Sequence, residues 1–432
     1  MIARITTSAL IGIVLASHTL AAQRRPAGTI AGRIDSLVND FMAMSHTPAV
    51  SVAVVRGPDT LVMKGYGEAN VELHRPATAS TAYRVGSITK QFTAAEIMRL
   101  AERGKLSIDD QVAKYLPDAP LHGAAITIRQ LLNQTSGIHE YMTEPAWRAT
   151  WTQPLSPQQV VAFVNHDSLD FEPGKAWEYS NTNYVLLGMI IEKVTGEAYA
   201  SYLRHDLFQP LGLAQTSYCP SRPLGPPFAE GYGANVGSAG AKPTEFLDLT
   251  SYGAGALCST ARVLLKWQSA LAGGHVVNAR SYALMTTPDT LNDGKRLAYG
   301  FGLEVGSLGP HLQIGHGGAT NGFVSVINRY PADGLSVVVL TNEDRGPDAR
   351  FLGPTVRGLT TNIARAMLGM PLVSLPSAPG AGSTKPATLR RVEFQVSTDT
   401  LGTLPAATAY AATTIPPKRH HARTAALSRV PR

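Results

Sequence analysis

Three short patterns in the chain together hold a nucleophile, groups able to move its proton, and donors able to hold an oxyanion. The first is Gly86-Ser87-Ile88-Thr89-Lys90. Ser and Lys three residues apart share a face if the segment is helical. A lysine beside a serine hydroxyl takes its proton once burial or neighbouring positive charge lowers the lysine's own pKa. If Ser87 opens the helix, its backbone N–H is an orphan donor that, with the helix dipole, favours a developing oxyanion. The second pattern is Tyr179-Ser180-Asn181. A phenol near an ammonium can exist partly as phenolate and shuttle protons, and an Asn side chain offers both donor and acceptor to a substrate amide. The third is Gly315-His316-Gly317-Gly318-Ala319. Its glycines let the backbone approach a ligand closely, which makes the N–H of Ala319 a candidate second oxyanion donor. Each pattern also has a plain structural use: Ser87 as a helix cap with Lys90 in solvent, Asn181 as a cap, His316 as a turn residue.

The elements that must carry these residues are readable from periodicity. Ile34, Leu37, Val38, Phe41 and Met42 predict a helix within 29–46. Residues 49–55 and 60–63 predict a hairpin around Gly57-Pro58-Asp59. Residues 91–103 are amphipathic and stop at Gly104, so Ser87 and Lys90 stand where that helix begins. Further helices are predicted at 128–132, 157–164, 184–194 and 261–271. Strand signals return at 297–305, 323–330 and 335–340, followed by a helix over 359–368, and the His-Gly-Gly pattern is placed on a strand edge. Strands open and close this order and helices fill its middle. The order predicts an α+β domain, with one sheet built from both chain ends and an inserted all-α lobe.

Charge and composition narrow the function classes. Of the formal charge of +7, nearly all comes from residues 375–432, where eight Lys and Arg face Glu393 and Asp399. The body is close to neutral, so no basic face for nucleic acid is implied. Residues 1–22 read as an export signal, with Arg4 ahead of a short apolar run at 9–16 and small residues at Ala21-Ala22; a core helix is the alternative. No later stretch is long and apolar enough for a membrane helix. The folded domain is expected at 28–372, in the periplasm or secreted. Residues 373–432 read as a disordered basic tail with, at most, a weak attraction for the cell envelope. Cys219 and Cys258 either pair, as an oxidising compartment allows, or lie separately buried. His420-His421 has no further ligands at useful spacing, and H-E-x-x-H is absent, so no metal site is expected. The absence of G-x-S-x-G argues against an α/β-hydrolase.

Taken in order, Ser-x-x-Lys, Tyr-x-Asn and His-Gly-Gly resemble the motif set of the serine β-lactamase-related hydrolases. That group holds class C β-lactamases, D-alanyl-D-alanine carboxypeptidases and related esterases. The similarity spans residues 30–370 and includes Tyr83 to Lys90, Gly104-Lys105-Leu106, Tyr115-Leu116-Pro117, Leu131 to Gly137 (LLNQTSG) and Tyr179 to Tyr184 (YSNTNY), which look like carboxypeptidase-type members. The resemblance implies a β-lactamase/penicillin-binding transpeptidase-like fold, an antiparallel sheet with flanking helices, and acyl-enzyme chemistry without metal or cofactor. It implies that Ser87 attacks a carbonyl and that Lys90 and Tyr179 act as base and then acid. Asn181 would orient the acyl side chain, and the N–H groups of Ser87 and Ala319, next to Gly318, would form the oxyanion hole. His316 stands where β-lactamases usually carry Lys. The implied substrates are small molecules, peptides or esters; negligible release would make the same pocket a penicillin sensor. Two departures bear on the substrate. Gly317 replaces a hydroxyl residue that helps hold a carboxylate, and 299–305 lacks the Arg that such carboxypeptidases place near a terminal carboxylate, offering Glu304 instead. With less charge on His316 than on Lys, both weaken binding of a carboxylate-bearing substrate and leave esters and D-amino-acid derivatives open.

Overall fold

The apolar runs near the two ends of the domain meet in one sheet. A computed structural model describes residues 28–150, 153–165, 168–219, 227–233, 251–344 and 355–375. All lie in the first of two compact units, Met1–Thr388; the other unit, Leu389–Arg432, the expected export signal and the tail beyond residue 375 lie outside the described residues. Strands β1 (Ala49–Arg56), β2 (Asp59–Asn70), β3 (Arg75–Pro76), β4 (Glu304–Leu308), β5 (His311–Thr320), β6 (Phe323–Tyr330) and β7 (Leu335–Thr341) form it, in the order β3-β2-β1-β7-β6-β5-β4. Every pairing is antiparallel.

Alternation along the central strands explains why both faces are covered. Val337 and Val339 of β7 pack with Val50, Val52 and Val54 of β1 beneath two helices, α1 (Ile30–Ser45) and α6 (Val356–Met367). Val338 and Leu340 point the other way, with Ala49 and Ala53, into the core shared with the helical lobe. In α1, Ile34, Val38 and Phe41 supply the buried stripe, Thr29 caps the start through Gly32 N, and His46 ends it in the left-handed region.

The lobe is built from α2 (Thr89–Glu102), α3 (Asn181–Thr195), α4 (Tyr252–Gly255), α5 (Ala261–Ala272) and shorter helices. Close approach matters where α3 meets α4: a Cβ on Gly253 would lie 2.5 Å from the Tyr184 carbonyl oxygen. The α+β expectation and most element positions hold. One expected strand does not: of residues 297–305, only Glu304 onward is strand. Before it the chain is a loop, and Gly302 (φ +67) turns it so tightly that a Cβ there would lie 2.5 Å from the Lys90 carbonyl oxygen. That loop lies against the start of α2.

Behind Ser87, the short strand Ala82–Arg84 pairs with Leu257–Thr260, which pairs in turn with Ser217–Tyr218. Cys219 and Cys258 are bonded across this small sheet, with Cα atoms 5.2 Å apart. The bond closes a loop with a sequence separation of 39. Replacing both cysteines with Ala is expected to cost about 2–4 kcal/mol, read as a lower Tm. The same drop should follow reduction of the wild type, and a Tm unchanged by dithiothreitol would show that the bond carries no stability.

Glu96, on α2 two turns beyond Lys90, is fully buried. Burial first, and then the neighbouring Asp206 carboxylate, push it up to about 8. An unfolded Glu ionises near 4.5, so between that pH and about 8 the unfolded chain releases a proton that the folded chain keeps. Stability from this group is therefore lost as pH rises through that window. Glu96→Gln is expected to match wild type near pH 4 and to be more stable by roughly 4–5 kcal/mol at pH 8.5. Urea titrations at the two pH values test this, and an equal difference at both would refute it.

Candidate active site

Ser87 sits in a 3-10 turn, Gly86–Ile88, that runs directly into α2 at Thr89. It therefore lies one step ahead of the regular helix rather than inside it. Lys90, in the first turn of α2, is fully buried. Its Nζ donates to Ser87 Oγ at 3.1 Å, to Asn181 Oδ1 at 2.7 Å and to the Ala254 carbonyl at 2.8 Å. It lies 4.7 Å from the centre of the Tyr179 ring and 5.4 Å from that of Tyr184. Burial lowers its pKa to about 7, against the opposing charge of Glu140.

The valence of nitrogen makes this arrangement directional. An ammonium has three N–H bonds and finds three acceptors here. After loss of a proton two N–H bonds remain, and the Asn181 and Ala254 oxygens can only accept. Those two take both hydrogens, which leaves the lone pair facing the Ser87 hydroxyl. The amine is thus aimed at the one neighbour that has a proton to give.

Tyr179 and Asn181 are held by the LLNQTSG segment. Gln134 Oε1 accepts from Ser180 N at 3.2 Å and from Asn183 Nδ2 at 2.6 Å. Ser136 Oγ donates to Asn183 Oδ1 at 2.6 Å, and Thr182 Oγ1 donates to the His139 carbonyl at 2.7 Å. Gly137 (φ +77) permits this loop because a Cβ there would lie 2.0 Å from the Phe171 carbonyl oxygen. The half-buried Tyr179 phenol is hydrogen-bonded with the Ser87 side chain. Burial, reinforced by Glu304 and Glu140, drives its pKa well above the ordinary value. Burial thus works against the partial phenolate that the sequence suggested, while it favours the neutral form of Lys90.

Asn181 bridges two ionisable groups, the buried Lys90 and the half-buried Glu140. Its Oδ1 accepts from Lys90, while its Nδ2 donates to Glu140 Oε2 at 3.1 Å and to Met142 Sδ at 3.2 Å. Its backbone N–H also donates to Glu140 Oε2. In this arrangement the amide expected to face a substrate is taken up in orienting Lys90. Burial raises the Glu140 pKa.

His316 to Ala319 lie within β5 itself. Strand β4 pairs with β5 as far as Gly315, and from there the same strand runs along the Ser87 turn. A Cβ on Gly318 would lie 2.0 Å from the Val85 carbonyl oxygen and 3.0 Å from Ser87 N. One on Gly86 (φ +49) would lie 2.8 Å from Ala319 N. Glycine on both sides of the seam brings the N–H groups of Ser87 and Ala319 into one neighbourhood.

His316 is buried, with Nε2 2.9 Å from Tyr299 Oη and Nδ1 2.5 Å from the Gly317 carbonyl oxygen. The carbonyl can only accept, so Nδ1 carries the hydrogen and Tyr299 donates to Nε2. Burial lowers its pKa to about 4, outweighing the Glu304 charge, so the ring is neutral at physiological pH. Its place in the site is fixed, but it brings no cation.

A guanidinium does reach this corner, from α6. Arg357 Nη1 donates to Glu304 Oε2 at 2.7 Å and Nη2 to Glu304 Oε1 at 2.6 Å. Burial works to raise the Glu304 pKa, but Arg357 outweighs it and brings the carboxyl down to about 2. Sequence reasoning missed Arg357, Glu140, Tyr299 and Ala254. The first three lie in segments without a motif of their own, and Ala254 acts through its backbone.

The family model described as Beta-lactamase matches residues 34–361. Over 312 residues the chain is 31% identical to "Penicillin-binding protein 4*" of Bacillus subtilis, covering 68% of this chain and 68% of that one. Among solved structures, D-amino acid amidase from Ochrobactrum anthropi, complexed with L-phenylalanine amide, aligns with a TM-score of 0.70 at 25% identity, over 79% of this chain and 99% of that one. A D-stereospecific amidohydrolase from Streptomyces aligns with a TM-score of 0.62 at 29% identity, over 74% and 95%. The family match contains Ser87, Lys90, Tyr179, Asn181 and His316 and runs from the first helix of the sheet layer into the last, so the chain belongs to the Beta-lactamase family.

Proposed function

We propose that the protein is an exported serine hydrolase that forms an acyl-enzyme at Ser87 and acts on amides or esters of D-amino-acid type. The observation that carries this reading is the buried Lys90 amine, whose two fixed acceptors leave its lone pair for the Ser87 hydroxyl. As Ser87 Oγ attacks the carbonyl carbon, its proton passes to Lys90 Nζ. The N–H groups of Ser87 and Ala319 take the developing oxyanion. The Tyr179 phenol, protonated and hydrogen-bonded with Ser87, is the group that hands a proton to the leaving amine or alkoxide, and Lys90 restores it. Water then attacks the ester by the reverse route. The amidase and amidohydrolase relatives support an amide or ester of a D-amino acid as substrate. The Cys219–Cys258 bond supports export to an oxidising compartment.

Intact-protein mass over time tests the reading. The protein is mixed separately with a penicillin, a D-amino-acid ester and a D-amino-acid amide, and any adduct is mapped by peptide digestion. An adduct on the peptide holding Ser87 that forms and decays is the expected result. One that forms and persists would favour the penicillin-sensor alternative. No adduct with any probe on folded protein, or one mapped elsewhere, would overturn the assignment.

A further inference from the structure

The corner of the site beyond the oxyanion seam holds one positive and one negative group, already paired. Arg357 and Glu304 meet through two parallel hydrogen bonds, the geometry in which a guanidinium also binds a free carboxylate. Glu304 Oε1 accepts from Gly317 N at 3.4 Å and lies 3.9 Å from His316 Nδ1. The pair is open to solvent: the Arg357 side chain is 46% exposed and that of Glu304 27%.

Gly317 makes this possible. A Cβ there would lie 2.3 Å from Arg357 Nη2 and 2.8 Å from its Cζ, so a side chain at 317 would require the guanidinium to move from its present place. The next residue along the strand, Gly318, backs onto Ser87 N. Successive strand residues face opposite sides, so Arg357 and the Ser87 turn lie against opposite faces of the strand, and it is Glu304, accepting from Gly317 N and 3.9 Å from His316 Nδ1, that the pair presents toward the site. His316 next to it is neutral. A carboxylate arriving here finds one cation whose fork is occupied, and a second carboxylate against it.

We propose that Glu304 is a specificity-determining residue: it fills the carboxylate-binding fork of Arg357, so the site takes substrates whose leaving group ends in an uncharged amide or ester and turns away those ending in a carboxylate. This rests on the acyl-enzyme reading above and names the substrate class of that same site. The repulsion is between like charges held close in a partly desolvated corner, where such contacts strongly suppress wrong partners.

The test uses two substrates that differ in one group, N-acetyl-D-alanyl-D-alanine and N-acetyl-D-alanyl-D-alaninamide. The readout is the ratio of their kcat/KM values. Wild type is expected to favour the amide by at least about tenfold. Glu304→Gln keeps the shape, removes the charge and frees Arg357, and is expected to move the ratio toward the carboxylate by about tenfold or more. Adding Arg357→Gln should abolish that gain, which a merely structural role for Glu304 would not predict. A wild type that prefers the carboxylate, a ratio unmoved in Glu304→Gln, or a shift that survives loss of Arg357 each overturns the inference while leaving Ser87 acylation standing. The wild-type ratio decides even if the variants fail to fold. A wild type inert toward both members also overturns it, and if no probe acylates Ser87 the acyl-enzyme reading falls with it.

Discussion

Ser87→Ala is expected to give a folded protein that forms no acyl adduct, with kcat/KM on the best amide or ester lowered by about 10⁴ or more. The fold should survive because the turn around residue 87 is held by backbone bonds, Ile88 N to the Val85 carbonyl and Thr89 N to those of Gly86 and Ser87, which Ala retains. Two side-chain partners, Lys90 and Tyr179, lose a hydrogen bond. Lys90 keeps its other two acceptors, so the change in stability should stay within about 1 kcal/mol. What the variant retains is the seam of backbone donors and the binding surface, which can orient a substrate and polarise its carbonyl but cannot form a covalent bond to it. Mass spectrometry with thermal melting separates the outcomes. A folded variant that still accumulates the same adduct would move the nucleophile elsewhere, and one that keeps the full rate without an adduct would replace covalent catalysis with direct attack by water.

The nucleophile was readable because its chemistry is local. Ser and Lys three apart meet on any helical turn, so residues 87 and 90 carry their own geometry. The sheet was readable for a similar reason: β1, β6 and β7 are long, β-branched runs buried on both faces, and α1 and α6 show one apolar stripe each. Reading failed where neighbours far apart in sequence decide the outcome. Residues 297–303 are rich in strand formers, yet Gly302 folds them onto α2, because the backbone there must approach Lys90. His316 was read as carrying less charge than a lysine would, and burial beside Tyr299 and the Gly317 carbonyl lowers its pKa further, an effect that has no signature in the sequence. The contacts of the Asn181 amide with Lys90 and Glu140, 91 and 41 residues away, were likewise not readable along the chain. The absence of an Arg in 299–305 was correctly seen in the sequence. That a guanidinium arrives at the same corner from α6 follows from the space over Gly317, which is a property of packing and has no signature along the chain.

Lys90→Met should lower the rate of Ser87 acylation by about 10³, and Lys90→Arg should not restore it. Met preserves the volume of the buried stem, so loss of the amine is tested rather than loss of packing; Arg keeps a charge but cannot give up its proton in this pH range. The wild-type acylation rate should rise with pH and level off above about 7, falling tenfold per unit below it, because Lys90 must lose its proton before it can accept one from Ser87. Glu140 sets the position of that limb. Burial favours the neutral amine and the Glu140 charge favours the ammonium, so Glu140→Gln removes the opposing influence and should carry the limb to lower pH. Tyr179→Phe should slow acylation and leave the limb near its wild-type position, since a phenol whose pKa is raised well above the ordinary value does not titrate there. The pH profile thus distinguishes the two proton carriers where rate loss alone would not. A limb that persists in Lys90→Met and disappears in Tyr179→Phe would transfer the base role to the phenol. A limb that moves with Glu140 and vanishes with Lys90 assigns it to the amine, because among the groups around Ser87 that amine is the one whose pKa lies near neutrality and whose lone pair the two acceptors leave unoccupied.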